Sequence, residues 1–364
     1  MSSTADWRRS IERSASREGA VQVTDNRAAI GAGEAPPVLT LLHRGGVVES
    51  AHRGDVAVVG AGGELTASLG NAERLVTLRS AIKPFTAVAV LVAANGAGIE
   101  VDEATLALSS ASHAGADEHV AVARAMIASH GLDPEILVHG RPSPLRAGGS
   151  GELLQHMCSG QHLSLLLLAK ALGVDARGYD EYAHPVQVRL RAVVGALLST
   201  DLDAAPWGFD GCAIPTYAVP LRTAAVGAYR WANPTDPAIP EELRDALARV
   251  RAAAIAYPRL ISGGGFLDTD LIRGGDGGVV SKQGAEGLCL VGAPGIGLAV
   301  KTEDGDSAAR SGRVATVAAL TAVGAAVASA SSLDLHRTVH LPDPRGGEPL
   351  ATLRPSAAFD ALRR

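Results

Sequence analysis

Residues 80 to 96 read SAIKPFTAVAVLVAANG, an apolar stretch that opens with a serine and a lysine three positions apart. Proline fits the first turn of a helix and not its interior, so Pro84 sets the helix start beside Lys83. Asn95-Gly96 mark its end. Because the stretch is apolar on every side, it predicts a buried helix. Ser80 then lies at the helix start, where backbone N–H groups and the positive end of the helix dipole stabilise an oxyanion.

Lysine is scarce in this chain, which has 33 Lys plus Arg but four lysines. Arginine keeps its proton near neutral pH, whereas a lysine amine can act as a base. Lys83 follows Ser80 by three positions, and residues i and i+3 share one face of a helix. The S-x-x-K pattern therefore predicts a nucleophilic serine with the lysine that accepts its proton. A helix cap followed by a solvated lysine is the alternative for this pair taken alone.

Composition predicts a globular protein that acts on small molecules. The 364 residues are 47% hydrophobic, with a mean hydropathy of +0.16, which is enough for a large core. A net charge of −5 and a pI near 6.1 argue against nucleic-acid and membrane-surface partners, because no strong basic field is present. No apolar run is long enough to predict a membrane span. Three scattered cysteines favour a reducing, cytoplasmic location over a disulfide framework.

Short apolar runs separated by turn residues predict antiparallel hairpins over about 37–78, and strand patterns return over about 277–304. The part between them, about 100–260, is rich in alanine and leucine and predicts helices. The helix candidates are 117–130, 151–173, 184–199, 216–230 and 238–256. Strands at both ends with helices between them predict an α+β fold, in which one antiparallel sheet is assembled from both termini beside a largely helical insertion.

The two ends of the chain predict no regular element. Residues 1–36 hold arginines and serines without the apolar core of a secretory signal, and we expect a flexible tail there. Residues 335–364 contain several prolines and glycines and predict an irregular end. The remaining chain, 37–364, is expected to form a single domain.

Two further motifs extend the Ser-Lys pair. Ser112 lies in a serine-rich segment before a predicted helix, where its hydroxyl could relay a proton. Lys282-Gln283-Gly284 ends a predicted strand. An S-x-x-K on a helix, a serine on a loop and a K-x-G on a late strand follow one another as in serine β-lactamases and penicillin-binding proteins.

Five blocks of sequence carry a more specific resemblance. They are LRSAIKPF at 78–85, ASHAG at 111–115, MCSGQH at 157–162, DGCAIPTY at 210–217 and KQGAEG at 282–287. In order and approximate spacing they resemble the signature blocks of the rhizobial-type asparaginase II family, over about residues 36 to 345. The resemblance implies a serine β-lactamase-like fold, also shared with glutaminases, and hydrolysis of L-asparagine to aspartate and ammonia. It also implies a homodimer.

The family uses two Ser-Lys tandems, and all four positions match here. By the resemblance, Ser80 attacks the side-chain amide carbon and Lys83 takes its proton. Ser112 and Lys282 relay protons to the leaving ammonia, and water then hydrolyses the aspartyl ester. The residues expected to bind substrate are Arg79, His162, Asp210, Gly284 and Glu286, with Asp210 suited to the substrate ammonium.

The sequence departs from the family at its metal site. The family holds a zinc ion beside the pocket with two cysteines and a lysine, and Cys158 and Cys212 match those cysteines. Gln161 replaces the lysine. His162 or the Gln161 amide oxygen could complete a zinc site, and two small buried hydrophobic residues are the alternative for the cysteines. The sequence therefore predicts no required cofactor and leaves zinc binding in doubt.

The replacement of the family's lysine by Gln161 also leaves more than one hypothesis for the substrate. Loss of an amine beside the pocket could change substrate preference, so a related amidase or acyl-transfer enzyme for a different amide is the second hypothesis. A catalytically silent protein that binds amino acids is the third. Ammonia release from L-asparagine separates the first hypothesis from the other two.

Overall fold

The structure is a computed structural model that describes residues 35–140, 151–307 and 309–363. Nearly all of the tail expected at 1–36 therefore lies outside the described residues. The chain divides into two compact units. Among the described residues, the first unit comprises 82–218 and 234–269, and the second comprises 35–81, 219–233 and 270–363.

Strands and helices of the described residues are numbered in chain order. The strands are β1 (Val38–Arg44), β2 (Val47–Val59), β3 (Leu65–Leu69), β4 (Leu75–Thr77), β5 (Trp207–Phe209), β6 (Pro215–Pro220), β7 (Val280–Gln283), β8 (Leu288–Ala293), β9 (Ile296–Thr302), β10 (Val339–Leu341) and β11 (Ala351–Pro355). The helices are α1 (Lys83–Gly96), α2 (Glu103–Ser109), α3 (Asp117–His130), α4 (Ser159–Leu172), α5 (Pro185–Leu198), α6 (Leu221–Ala232), α7 (Glu241–Ala256), α8 (Pro258–Ile261), α9 (Leu267–Gly274), α10 (Ser311–Ala322) and α11 (Asp334–Arg337). No helix in these described ranges is both long and apolar enough to cross a membrane.

The second unit is built on an eight-stranded sheet. Its strand order is β10-β11-β1-β2-β9-β8-β7, with β3 also paired to β2, and the paired strands are antiparallel. Helix α6 packs on β2, β8 and β9. Two glycines allow this close approach, because a Cβ at Gly292 would lie 2.1 Å from the Ala228 carbonyl oxygen and one at Gly297 would lie 2.3 Å from that of Ala225.

The predicted α+β fold class is confirmed, since strands from both ends of the chain form one antiparallel sheet and a largely helical segment lies between them in sequence. The irregular end predicted for 335–364 is wrong. That segment supplies β10 and β11, which extend the sheet beyond β1. Strands of three and five residues are too short to give a readable alternation of apolar and polar side chains.

Helix α1 is the central helix of the first unit. It contacts α2, α4, α5 and α7, and all its residues from Lys83 to Leu91 are buried, as the apolar sequence predicts. Burial of each valine or leucine side chain contributes about 1.5–3 kcal/mol. Helix α4 approaches α2 closely at Gly160, where a Cβ would lie 2.3 Å from the Leu108 carbonyl oxygen. The unit also holds the antiparallel pair of β5 and β6, whose turn carries the DGC block.

Candidate active site

Lys83 begins helix α1 and points its amine into a polar cluster of the first unit. The side chain is 1% exposed. Its Nζ donates hydrogen bonds to the Ala111 carbonyl oxygen at 2.8 Å, to Ser112 Oγ at 3.1 Å and to Cys158 Sγ at 3.1 Å. The protonated form of lysine has three N–H donors, so in that form these acceptors match all of them. The sequence-predicted Lys83 and Ser112 thus lie in direct contact.

The loop that carries Ser112 is held on both sides by backbone hydrogen bonds. The Ser112 N–H donates to the Ile261 carbonyl oxygen at 2.9 Å, and the Ala114 N–H donates to that of Ser262 at 2.8 Å. On the other side, the His113 N–H donates to the Met157 carbonyl oxygen at 3.1 Å. These bonds hold the backbone of Ser112 in the position from which its hydroxyl contacts Lys83.

The His113 side chain strengthens the same loop. Its Nδ1 accepts from the Gly115 N–H at 3.2 Å, so the proton of the neutral ring is on Nε2, which donates to Ser159 Oγ at 3.0 Å. Ser159 is the first residue of α4 and donates its own hydroxyl proton to the Leu154 carbonyl oxygen. His113 therefore connects the Ser112 loop to the start of the helix that follows Cys158.

Other buried histidines pack around this cluster. His119 stacks on His113 with ring centroids 4.7 Å apart. His139 stacks on His156 at 4.4 Å and meets His162 edge-on at 4.8 Å. Burial lowers the pKa of His113, His119, His139 and His162, and that of His139 falls to about 4. All four are therefore neutral at pH 7.

The neutral histidines make the stability of the chain acid-sensitive. Each has a folded-state pKa below its unfolded value near 6.5, so the unfolded chain binds protons first as pH falls. Their contribution is present above pH 6.5 and is lost below it, by at most about 1.4 kcal/mol per pH unit for each histidine. For His139 the loss extends from pH 6.5 to about 4. Urea titrations between pH 7.5 and 5 should show this fall in the free energy of unfolding.

A matched pair of variants tests whether the buried histidines cause this pH dependence of the free energy of unfolding. His139→Asn removes one buried ring and should lessen the pH dependence of unfolding. His340→Asn removes an exposed histidine of β10 and should leave it unchanged. If the free energy of unfolding depends on pH equally in the two variants, the buried histidines are not the cause of the acid sensitivity.

Cys158 and Cys212 lie side by side in the first unit, each 4% exposed. Cys158 is the N-cap of α4, and Cys212 lies in the turn between β5 and β6. A hydrogen bond from Cys212 lowers the pKa of the Cys158 thiol, and the charge of Lys83 adds to this effect although burial opposes it. The same hydrogen bond raises the pKa of the Cys212 thiol.

The turn that holds Cys212 also holds Asp210. The Asp210 Oδ1 accepts from the Gly211 N–H at 2.6 Å, and the Ala213 N–H donates to the Asp210 carbonyl oxygen at 2.9 Å. Ala213 has φ = 71°, a left-handed value that a non-glycine residue rarely adopts. The carboxyl group is half-buried. His162, also expected in substrate binding, is fully buried on α4 with its Nδ1 2.6 Å from the Tyr179 hydroxyl.

Ser80 belongs to the second unit, in a single 3₁₀ turn, Arg79–Ile82, directly before α1. The Ala81 N–H closes this turn on the Leu78 carbonyl oxygen at 3.0 Å. Arg79 has φ = 47°, so the residue before the predicted nucleophile is in the left-handed region. Such strained backbone concentrates at functional sites. Both Arg79 and Ser80 are half-buried.

The late K-x-G motif lies against this turn, within the second unit. A Cβ at Gly284 would come 2.9 Å from the Leu78 carbonyl oxygen, so glycine allows the end of β7 to approach the Ser80 turn. Lys282, on β7, is 1% exposed and donates from Nζ to the Gln283 carbonyl oxygen at 2.7 Å. Glu286 is exposed in the following turn, with φ = 58°.

The comparisons with known proteins agree with the sequence blocks. The sequence profile of the L-asparaginase II family matches residues 41–354. The chain belongs to the L-asparaginase II family. It is accordingly an asparaginase-type amidohydrolase. No protein with a curated description matches it.

Solved structures with weak similarity to this L-asparaginase II family member were also found. Crystal structures titled as Mglu in its glutamate form, as Mglu and as Mglu in its native form match with 18%, 17% and 17% identity. The TM-scores are 0.33, 0.34 and 0.32. The matches cover 70%, 80% and 79% of this chain, which spans 57%, 71% and 68% of those chains.

This L-asparaginase II family member differs from its family in the side chains at the zinc site. Cys158 and Cys212 supply two sulfurs, but the position of the family's lysine holds the neutral amide of Gln161. His162 has its Nδ1 bonded to Tyr179. In the described residues, no group of three or more His, Cys, Asp and Glu side chains is placed to hold a metal ion. The described side chains therefore do not supply the three protein donors that a zinc ion needs beside a water molecule.

Several residues that pack in the polar cluster around Lys83 and His162 of this L-asparaginase II family protein were not predicted from the sequence. Tyr179, His139 and His156 lie in none of the five sequence blocks, yet their rings pack around His162 and beside one another. Burial raises the pKa of the Tyr179 hydroxyl, so it stays a neutral partner of His162. A histidine far from any motif gives no signal in a single sequence, because its role depends on long-range packing.

Proposed function

We propose that the chain hydrolyses the side-chain amide of L-asparagine to aspartate and ammonia through an ester on Ser80. The observation that carries the proposal is the hydrogen bond from Lys83 Nζ to Ser112 Oγ, at 3.1 Å, in a chain of the L-asparaginase II family. A buried amine and a hydroxyl held in contact are the parts of a proton relay.

In the first step, Lys83 acts in its neutral form, with two N–H donors, and takes the proton of Ser80 Oγ as that oxygen bonds to the amide carbon. The C–N bond then breaks, and the leaving nitrogen takes the hydroxyl proton of Ser112. Lys83, now an ammonium, returns a proton to Ser112 along their hydrogen bond. Ammonia leaves, and the aspartyl group remains as an ester of Ser80. Water attacks this ester as Lys83 takes one of its protons. The ester C–O bond breaks, and Lys83 returns that proton to Ser80 Oγ, which restores the serine hydroxyl and the neutral amine.

The environment of Ser80 supports its role as nucleophile. The left-handed φ of Arg79 is the kind of strain that sharp turns at reactive groups store. Gly284 is needed for the approach of β7 to the turn that carries Ser80, and β7 supplies Lys282. Lys282 is the partner of Ser112 in the second tandem of the proposal.

The proposed substrate is a small zwitterion, and polar groups bind its two ends. The half-buried Asp210 carboxylate suits the substrate ammonium. The other residues assigned to substrate binding are Arg79, His162, Gly284 and Glu286. Buried polar groups that pair with both ends discriminate strongly, because a wrong substrate leaves them unpaired. The proposal keeps the cytoplasmic location that the sequence predicts and the homodimer that the family resemblance implies, and it requires no cofactor.

A different amide is the second candidate, and Gln161 is the observation that favours it. Its buried carboxamide is neutral where the family has a lysine, so the charge three residues after Cys158 on α4 differs from that of the family. Gln161→Lys restores the amine. The variant is assayed with added Zn²⁺. If it hydrolyses L-asparagine faster than the wild type does and another amide more slowly, position 161 determines the substrate.

The test of the proposed function is ammonia release by the purified full-length chain. L-Asparagine, L-glutamine, simple amides and a β-lactam are supplied separately, and ammonia or acid product is measured with each. The proposal expects a kcat/KM for L-asparagine at least tenfold above that for any other amide. Turnover of another amide with none of L-asparagine would support the second candidate. Calorimetric binding of L-asparagine without ammonia would show a silent binding protein and overturn both.

A further inference from the structure

Lys301 is one of the four lysines of the chain, and the proposed hydrolysis gives it no role. It lies near the end of β9 and is half-buried. Its Nζ donates hydrogen bonds to two backbone carbonyl oxygens, that of Glu286 and, at 2.7 Å, that of Thr302. Because both acceptors belong to the main chain, this amine fixes the course of the backbone.

The β7–β8 turn, residues 284–287, has a backbone that needs support. Glu286 has φ = 58° and Gly287 has φ = 69°, so two successive residues are left-handed. Glycine adopts this conformation readily, but a glutamate is strained in it. The Lys301 amine donates to the carbonyl oxygen of that same glutamate. The hydrogen bond therefore holds the strained residue of the turn in place.

One side of the turn packs against the end of β9 and the chain that follows it. The Thr302 N–H donates to the Gly287 carbonyl oxygen at 2.9 Å, and a Cβ at Gly287 would lie 2.8 Å from the Thr302 Cβ. A Cβ at Gly305 would lie 2.3 Å from Glu286 Oε2, so the Glu286 side chain lies along this segment. Lys301 joins the two segments, since one of its acceptors lies on each.

The other end of the turn meets the turn that carries Ser80. The Gly284 N–H donates to the Leu288 carbonyl oxygen at 2.8 Å, and Gly284 approaches the carbonyl oxygen of Leu78, two residues before Ser80. In the proposed function, Gly284 and Glu286 bind substrate and exchange no protons. A displaced β7–β8 turn should therefore weaken substrate binding more than it slows the chemical steps.

We propose that Lys301 is a positioning residue, which holds the β7–β8 turn in the conformation that binds substrate through Glu286. The effect on substrate binding rests on the proposed function, which gives Glu286 that role, whereas the support of the turn does not. Lys301 transfers no proton in the reaction, because the acceptors of its hydrogen bonds are backbone carbonyl oxygens. Its amine therefore determines KM and not kcat.

Steady-state ammonia release from L-asparagine by the full-length chain measures this division between KM and kcat. Lys301→Met keeps the length of the side chain but removes its donors, so it should raise KM about tenfold and leave kcat within about threefold of the wild type. Lys301→Arg keeps N–H donors and the positive charge, and its KM should lie within about threefold of the wild-type value. An unchanged KM in Lys301→Met, or a larger change in kcat than in KM, would overturn the proposal.

A control and a double variant distinguish positioning from a general loss of stability. Arg244 on α7 also donates to two backbone carbonyl oxygens, those of Ile239 and Pro237, and Arg244→Met should leave KM unchanged. Glu286→Gln should raise KM, and Lys301→Met should add little to it, since a residue that acts through Glu286 is not additive with it. The same rise in KM in Arg244→Met and Lys301→Met, or additive effects in the double variant, would contradict a role through Glu286.

Hydrogen exchange of the peptide 283–290, followed by mass spectrometry, tests the turn without an activity assay. The peptide should exchange faster in Lys301→Met than in the wild type, because the turn opens more often without the amine, and at the wild-type rate in Lys301→Arg. A wild-type chain that releases no ammonia would refute the proposed function, and the exchange would still decide whether Lys301 holds the turn. Exchange at the wild-type rate in Lys301→Met would show that it does not.

Discussion

Lys83→Met should lower kcat for ammonia release by about 10³-fold, with a much smaller change in KM. A positioned general base contributes about 10²–10⁴-fold, and Lys83 is the amine that contacts Ser112. Methionine has a similar length and buries well, but it can neither take nor return a proton. The measurement is steady-state ammonia release, with circular dichroism to show that the variant is folded.

Two further lysine variants separate proton transfer from positioning. Lys83→Arg keeps a positive charge and N–H donors for Ser112 and Cys158, but arginine does not give up its proton. If Lys83 acts as a base, this variant is as inactive as Lys83→Met. Lys170→Met is the matched control, because Lys170 lies in the last turn of α4 and donates to the His130 carbonyl oxygen. It should retain wild-type kcat. A Lys83→Arg variant with a tenth or more of the wild-type kcat would show a positioning role instead.

The parts of the fold that local sequence determines were predictable. The apolar stretch after Pro84 and the turn residues at its end gave α1, and the helix predicted at 117–130 is α3. The helix predicted at 216–230 begins later, at Leu221, because β6 occupies Pro215–Pro220. Valine and threonine favour a strand there, but the strand is defined by its pairing with β5. Long-range pairing is not encoded in a local pattern.

The candidate site was predictable only as a set of residue types in a known order. The motifs gave Ser80, Lys83 and Ser112, but the hydrogen bond from Lys83 to Cys158 joins residues 75 positions apart. The cysteines were predicted as zinc ligands or as buried hydrophobic residues. The contact of Cys158 with the Lys83 amine depends on how α1 and α4 pack, since Cys158 is the N-cap of α4. Packing of this kind is set by the whole core of the first unit and not by the blocks themselves.

Ser80→Ala should abolish ammonia release, with kcat reduced by at least about 10³-fold, because no ester intermediate can form without the hydroxyl. The change should cost little stability, since Ser80 is half-buried in a short turn and alanine fits the same backbone. Two measurements check this: steady-state ammonia release, and acid-quenched mass spectrometry of the chain mixed with L-asparagine. The wild type should show an aspartyl adduct on the peptide that contains Ser80, and the variant should show none.

The second serine decides whether this assignment is correct. Ser112 contacts Lys83 directly, so its geometry alone would also suit a nucleophile. If Ser112 relays protons, Ser112→Ala slows turnover but still forms the Ser80 adduct, and the double variant is no slower than Ser80→Ala, because residues of one mechanism are not additive. Ser329→Ala, an exposed serine bonded to the Ala326 carbonyl oxygen, is the control and should retain full activity. An adduct on the Ser112 peptide in Ser80→Ala would exchange the two roles, because the serine in contact with the buried amine would then be the one that attacks.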